Sequence, residues 1–344
     1  MKRKFRLILR ILKWIGKILG ILIIVLLISG LCFRLFSSKP VPPGKLVDIN
    51  GTKLHIISEG YKNELPTLIL EAGAGSNTDM AHWIAKGLKK NMRVIRYDRE
   101  GKWFSESSKD INSPEFYAKQ LHNLLEKSGE KPPYILAGHS MGGPYNLIFR
   151  DLYPNEVKGM ILIDSSHPEQ WKRLKQNELF NDTQITLVKT ISFLADIGIV
   201  GAFNSVFKSE PRKDGLPPKL HLRSHYVTAY SGKVFHRYIQ ENEINEMILN
   251  RAGQIKSLDS LPLVVFTATE QYEESQKEKY RKEGIDPNEQ VEVWHEMQKE
   301  LKELSSNGKQ IIINANHGSI ITKKENAKII NKEILSMARS IELN

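Results

Sequence analysis

The stretch Gly138-His139-Ser140-Met141-Gly142 is the part of this 344-residue chain whose residue types and spacing point most directly to chemistry. A short apolar run, Tyr134 to Ala137, leads into it, and a helix-compatible segment, Pro144 to Tyr153, leads out. Gly-x-Ser-x-Gly between a strand and a helix is the pattern of a nucleophile elbow. A serine in so sharp a turn has its hydroxyl lifted above the sheet edge, and glycine two residues to either side removes side chains that would strike the helix. The turn also aims the first helical N–H groups at a reacting carbonyl. The serine needs a base, and His317 is the best placed of ten histidines. Asn314-Ala-Asn-His-Gly-Ser319 follows the last apolar run and precedes the final helical segment. The imidazole should therefore stand at the carboxyl end of a strand, where α/β sites form. Gly318 is expected to permit a tight loop there. His139, inside the elbow, should hold the turn rather than face a substrate, and His295 lies on an amphipathic segment where solvent accounts for it.

An acyl intermediate also needs donors for its oxyanion. Glu71-Ala-Gly-Ala-Gly-Ser76 follows the run Thr67–Leu70, and the Ala74 N–H beside that of Met141 would form an oxyanion hole. The glycines could instead be read as a phosphate loop, but the spacing is wrong. Thr78 stands where the third glycine of Gly-x-Gly-x-x-Gly belongs, and no Lys-Ser/Thr follows. Serine supplies the nucleophile, so the chemistry requires no metal and no cofactor.

The elements that must position these residues are short and fully apolar: Thr67–Leu70, Val94–Tyr97, Tyr134–Ala137, Met160–Ile163, Leu263–Phe266 and Ile311–Ile313. Helix-like segments alternate with them near Asp79–Lys90, Ser113–Lys127, Met141–Leu152, Trp294–Ser305 and Lys324–Arg339. Buried strands alternating with helices predict a mostly parallel sheet covered on both faces. Asn50-Gly51 between Leu46–Ile49 and Thr52–Ile57 adds an antiparallel hairpin at the start. Residues 169–258 break the alternation: apolar-periodic pieces at Ile185–Ile199 and Tyr238–Asn250 flank a basic turn, Pro211–Pro218, with no convincing strand. This interval reads as a mobile helical cap inserted in a core of residues 45–168 and 259–344.

The net charge of +11 is localised. Nine of the 50 basic residues and none of the 39 acids fall within residues 1–39, which leaves the remainder nearly neutral and argues against a nucleic-acid partner. Ile18–Phe33 is uncharged, and Trp14–Phe36 would span about 34 Å as a helix, enough to cross a bilayer with Lys17 and Arg34 snorkelling at its ends. Most of the basic residues precede the apolar span, so the N-terminus should be cytoplasmic and everything after Lys39 outside. Basic residues at 3, 6, 10, 13 and 17 form one helical stripe suited to anionic headgroups. Cleavage as a signal peptide is the competing outcome, although no small-x-small site follows. Residues 40–45 are a proline-rich linker, and the lone Cys32 rules out an intramolecular disulfide. Asn50-Gly-Thr52 and Asn181-Asp-Thr183 are glycosylation sequons that matter only in a eukaryotic host.

Glu71-Ala-Gly-Ala-Gly75, Tyr97-Asp-Arg-Glu-Gly101 with Ser105, Gly138–Gly142, Ile163-Asp-Ser-Ser-His-Pro168 and Asn316-His-Gly318 occur in the order seen in α/β-hydrolases. Over roughly residues 45–168 and 259–344 the chain resembles the serine-nucleophile, cap-bearing branch of that family. Trp103 departs from the pattern, because relatives with Asp-Arg-x-Gly-x-Gly-x-Ser carry a second glycine there. The resemblance implies a triad acid in one of two places. After the cap, a Gly-x-x-Asp turn is expected, but Gln271 takes that spacing and Glu270 misses by one. At the end of the preceding strand, Asp164 occupies the position used by some members. Asp164 is the first choice and Glu270 the second; both keep the order Ser, acid, His.

Together these features predict an α/β-hydrolase fold with a helical cap and one N-terminal transmembrane helix, forming a single-pass cell-membrane serine hydrolase. Ser140, His317 and Asp164 would be the triad, and the substrate a small or lipid-like acyl compound, most simply a carboxylic ester. Acyl transfer or aminopeptidase action on the same residues, and a non-catalytic binding protein on this scaffold, are the alternatives.

Overall fold

Strands buried on both sides should send alternate residues to opposite faces, and they do. In the computed structural model, Ile69, Ile95, Leu136 and Leu162 join one apolar cluster, whereas Leu68, Val94, Ile135 and Ile161 join a second on the other side. The structure describes residues 2–107, 111, 113–174, 182–207, 210–211, 213–270 and 272–343. Gln271, and parts of the Asn181 sequon and of the Pro211–Pro218 turn, lie outside the described residues.

The chain starts with a long helix, α1 (Lys2–Phe36), and the hairpin β1 (Lys45–Ile49) and β2 (Thr52–Glu59), whose turn holds Asn50 and Gly51 at φ +54° and +90°. The core continues through β3 (Thr67–Glu71), α2 (His82–Leu88), β4 (Val94–Tyr97), α3 (Phe116–Lys127), β5 (Tyr134–His139), α4 (Gly142–Leu152) and β6 (Val157–Ile163). Next come α5 (Gln170–Arg173), α6 (Asp182–Asp196), α7 (Ile199–Val206), α8 (Pro218–Tyr230) and α9 (Lys233–Ala252). The core resumes with β7 (Leu263–Glu270), α10 (Glu274–Lys282), α11 (Pro287–Glu303), β8 (Gly308–Asn316), α12 (Ser319–Thr322) and α13 (Lys324–Glu342).

Among the described residues, eight strands form one sheet in the order β1-β2-β4-β3-β5-β6-β7-β8. The β1–β2 and β2–β4 pairs are antiparallel and the others parallel. This is the α/β-hydrolase fold. Helices α3, α4 and α9 bury their apolar sides in the first cluster, and α2, α12 and α13 in the second. The apolar piece at Ile185–Ile199 is two helices rather than one, because Gly198, at φ +85°, breaks it and α6 and α7 meet at an 80° bend. Helices α8 and α10, carried by short polar sequences, have no clear sequence signal.

Candidate active site

Three strand ends converge on one rim of the sheet. Ser140 follows β5 at φ +53°, a left-handed conformation that costs a serine free energy and must be imposed by its surroundings. Three backbone hydrogen bonds impose it: Ser140 N–H donates to the Ile163 carbonyl at 3.2 Å, and the Ser140 carbonyl accepts from Gly143 and Ser166, each at 3.0 Å. The flanking glycines answer to different obstacles. A Cβ at Gly138 would stand 2.4 Å from the Gly142 carbonyl at the start of α4, as the elbow argument requires. A Cβ at Gly142 would instead strike the Glu71 carbonyl at 2.6 Å, so this glycine clears the end of β3 and not a helix.

His317 follows β8, and its Nδ1 lies 2.6 Å from Asp164 Oδ2. Asp164 follows β6 with a side chain fully withdrawn from water, and its Oδ1 accepts from Trp294 Nε1 at 2.9 Å and from the Ala268 N–H at 3.1 Å. Burial pushes this carboxyl up, but the bond to and charge of His317, with the Trp294 and Ala268 donors, outweigh burial and hold it below the usual aspartate range. An ionised acceptor at Oδ2 fixes the proton on His317 Nδ1 and leaves Nε2 with a free lone pair. Glu270, the second choice from sequence, takes an ion pair with Lys277 at 2.6 Å.

His139 holds its neighbour from below: its Nε2–H donates to the His317 carbonyl at 2.8 Å, and the two rings lie 4.6 Å apart. Burial, and then the proximity of His317, push His139 down to about 3, so it is a neutral prop. His295 is not left to solvent as the sequence suggested. It is half-buried on α11, and its Nε2–H donates to the Ala268 carbonyl at 3.0 Å. Gly318 also departs from expectation, because its φ of −81° is right-handed and a Cβ there would meet only Asn316 Oδ1, at 3.8 Å. The loop is closed instead by Asn316, whose Oδ1 accepts from the Ser319 N–H at 2.7 Å.

The Glu71–Ser76 segment lies over Ser140: a Cβ at Gly73 would be 3.0 Å from Ser140 Cβ. Among the described residues, no carbonyl or side chain accepts the N–H of Ala74 or of Met141, so both donors remain available. What holds this segment in place is a group of buried charges that sequence reasoning missed. Arg99 Nη1 donates to Glu71 Oε1 at 2.5 Å and to the Ala72 carbonyl at 2.6 Å, and Nη2 donates to the Gly73 carbonyl at 2.9 Å. Glu241, from α9, accepts from Arg99 Nε at 3.2 Å and pairs with Lys102 Nζ at 2.6 Å, every side chain at most 2% exposed. Tyr238, also on α9, lies 3.1 Å from where a Cβ on Gly75 would be. On α8, Ser224 accepts from Asn77 Nδ2 at 2.9 Å, and Arg223 pairs with Asp79. Helices α8 and α9 therefore roof the loop. Arg99 falls in the Tyr97–Gly101 motif, but Glu241 sits mid-helix with no pattern to reveal its partner. Trp103, where a second glycine was expected, keeps a glycine-like φ of +41° and donates Nε1–H to the Ser76 carbonyl at 3.0 Å.

A cavity of about 470 Å³ opens elsewhere, between α9 and α11, and none of Ser140, His317 or Asp164 lines it. On its wall, His167, Glu169 and Glu300 bring ligand atoms within 4.8 Å of one another. Glu300 is already gripped by Arg173 Nη1 at 2.8 and 2.7 Å, which opposes a metal there.

Residues 66–185 match the family model described as alpha/beta hydrolase fold. The chain is 33% identical over 135 residues to the uncharacterized protein YbdG of Bacillus subtilis, covering 38% of this chain and 41% of that protein. It is 32% identical over 120 residues to Lipase 1 of Psychrobacter immobilis, covering 34% and 37% respectively. The chain thus spans about two fifths of the length of these relatives. Among solved structures, the enol-lactonase of Burkholderia xenovorans aligns with 85% of this chain and 99% of its own at a TM-score of 0.57 and 18% identity.

Proposed function

Starting from a chain with the α/β-hydrolase fold, we propose that it is a membrane-anchored serine hydrolase cleaving carboxylic esters through an acyl-enzyme. The observation that carries this reading is the 2.6 Å hydrogen bond between His317 Nδ1 and the buried Asp164. It leaves His317 Nε2 as an acceptor on the rim where Ser140 is held at positive φ. Ser140 Oγ attacks the acyl carbon while Nε2 takes its proton, and Asp164 stabilises the imidazolium. The Ala74 and Met141 N–H groups hold the oxyanion. The imidazolium then protonates the departing alcohol, and a water repeats the sequence to release the acid. Similarity to Lipase 1 over 120 residues supports a lipid-like acyl group.

Membrane attachment is supported by α1, whose Phe5–Phe36 portion is long and apolar enough to cross a bilayer. Fluorophosphonate labelling of the full chain, beside Ser140→Ala and His317→Ala, tests the catalytic reading. An adduct mapped to Ser140 and lost in both variants is expected. A folded chain that takes no label would support a binding role for the scaffold instead.

A further inference from the structure

The carboxyl end of α1 does not simply run into a linker; it is packed into the insertion. A Cβ at Gly198 would lie 2.4 Å from the Gly30 carbonyl, one at Gly30 2.6 Å from the Ile197 carbonyl, and one at Gly201 2.1 Å from the Phe33 ring. Glycine on both sides of the contact lets the backbones touch, the way helices pack where no water drives them together. Arg34 reaches across as well, its Nε donating to the Asp196 carbonyl at 2.9 Å and its guanidinium lying 4.8 Å from the Tyr230 ring centroid. Tyr226 OH donates to the Ser38 carbonyl. An arginine and two tyrosines at the end of an apolar span are the residues expected at the level of the headgroups.

This contact fixes the height of the insertion relative to the apolar span. Gly30 lies four residues before Arg34, which is about 6 Å along a helix. Helix α7, held against Gly30 and Phe33, therefore sits beside the last turn of the uncharged stretch and not above it. Its free side is largely apolar, and α6 adds Leu187 and Phe193, exposed among threonines and other polar residues. Leu187, Phe193, Phe203, Val206 and Phe207 are each 58–73% exposed, and the rings of Phe203 and Phe207 lie 4.6 Å apart. Between Asp182 and Asp196 the sole charged residue is Lys189, and α7 has none. Apolar helices at that depth resemble segments that lie in the plane of the interface, sunk about 5–10 Å.

We infer that α6 and α7 form a shelf embedded in the bilayer leaflet from which α1 emerges, with Leu187, Phe193, Phe203, Val206 and Phe207 among the lipid chains. The inference rests on α1 crossing a membrane. The shelf is continuous with the roof of the site: Ser192 Oγ on α6 donates to the Gly232 carbonyl at 2.9 Å, directly before α9, which carries Tyr238 and Glu241.

The test uses the full chain carrying Cys32→Ser, reconstituted in phosphatidylethanolamine/phosphatidylglycerol vesicles with bromine- or doxyl-labelled acyl chains. A fluorophore is attached in turn through Leu187→Cys, Phe203→Cys, Leu26→Cys within α1, or Lys332→Cys, exposed on the opposite face of the sheet. Each variant must keep the parent's melting transition. Labels at 26, 187 and 203 should lose emission to chain-borne quencher, as expected of residues sunk among acyl chains, while 332 keeps its emission. Quenching at 26 with 187 and 203 behaving like 332 overturns the shelf and leaves the anchor standing. No quenching at 26 overturns the anchor and the shelf with it. Quenching at 332 as well means unspecific adsorption and also overturns the proposal.

Discussion

Replacing Asp164 with asparagine separates the proposed triad from its neighbours. Asp164 Oδ1 accepts from Trp294 and the Ala268 N–H, so an asparagine must keep its oxygen there. Its amide NH₂ then faces His317 Nδ1, where the carboxylate oxygen now lies at 2.6 Å, and donates to it. The His317 proton is driven to Nε2, the nitrogen that accepts from Ser140 in the proposed mechanism, and the productive tautomer sets two donors against each other. Loss of the correct tautomer costs about 10⁴ in kcat, which is about 5.5 kcal/mol of transition-state stabilisation. The fold should lose only about 1–2 kcal/mol, because the Trp294 and Ala268 bonds remain and the third is remade as a neutral bond without its charge assistance. Glu270→Gln gives up a 41%-exposed partner of Lys277. It should lose no more than about 1 kcal/mol of stability and little turnover. Steady-state hydrolysis of a short p-nitrophenyl ester by full-length variants in detergent, with thermal melts alongside, measures all of these. Asp164→Asn within tenfold of the parent, or Glu270→Gln the worse of the two, would refute the assignment.

Three further outcomes are expected. His139 is held down to about 3 when folded against 6.5 when unfolded. Between those pH values the unfolded chain binds a proton that the folded chain refuses, so this group makes stability fall with falling pH by about 1.4 kcal/mol per unit. It has no effect above pH 6.5, and His139→Asn should flatten the denaturation slope in that window by this amount; an unchanged slope would place the charge elsewhere. Gly138→Ala forces a Cβ to 2.4 Å from the Gly142 backbone and should cost about 1–3 kcal/mol in urea unfolding, whereas Gly318→Ala, with open space, should be near neutral. Equal effects would mean that the elbow glycine is not sterically required. Glu241→Gln leaves Arg99 and Lys102 buried without their shared anion and should cost about 3–5 kcal/mol. A change below about 1 kcal/mol would show that water reaches the pair.

The residues 138–142 and 317 could be read from sequence because their signals are local. A strand–turn–helix with glycines at fixed offsets describes its own geometry, and a histidine directly after an apolar run inherits the position of a strand end. The alternating strands were legible for the same reason, since burial on both faces leaves a run of apolar residues that no partner needs to explain. The apolar span of α1 likewise reports its own length and charge.

The tertiary structure decided what depends on partners far apart in the chain. Asp164 and Glu270 both end strands, and only the positions of β6, β7 and β8 in the sheet set the first, not the second, against His317. The hydrogen bond that Trp294 donates to Asp164 and the prop under His317 from His139 cross 130 and 178 residues, distances over which spacing carries no information. Glu241 looks like a solvent-facing helical residue until Arg99 and Lys102 arrive from the β4 loop to neutralise it. The seating of α1 against Gly198 and Gly201 is likewise invisible in either segment alone, because a glycine records that something comes close and not what.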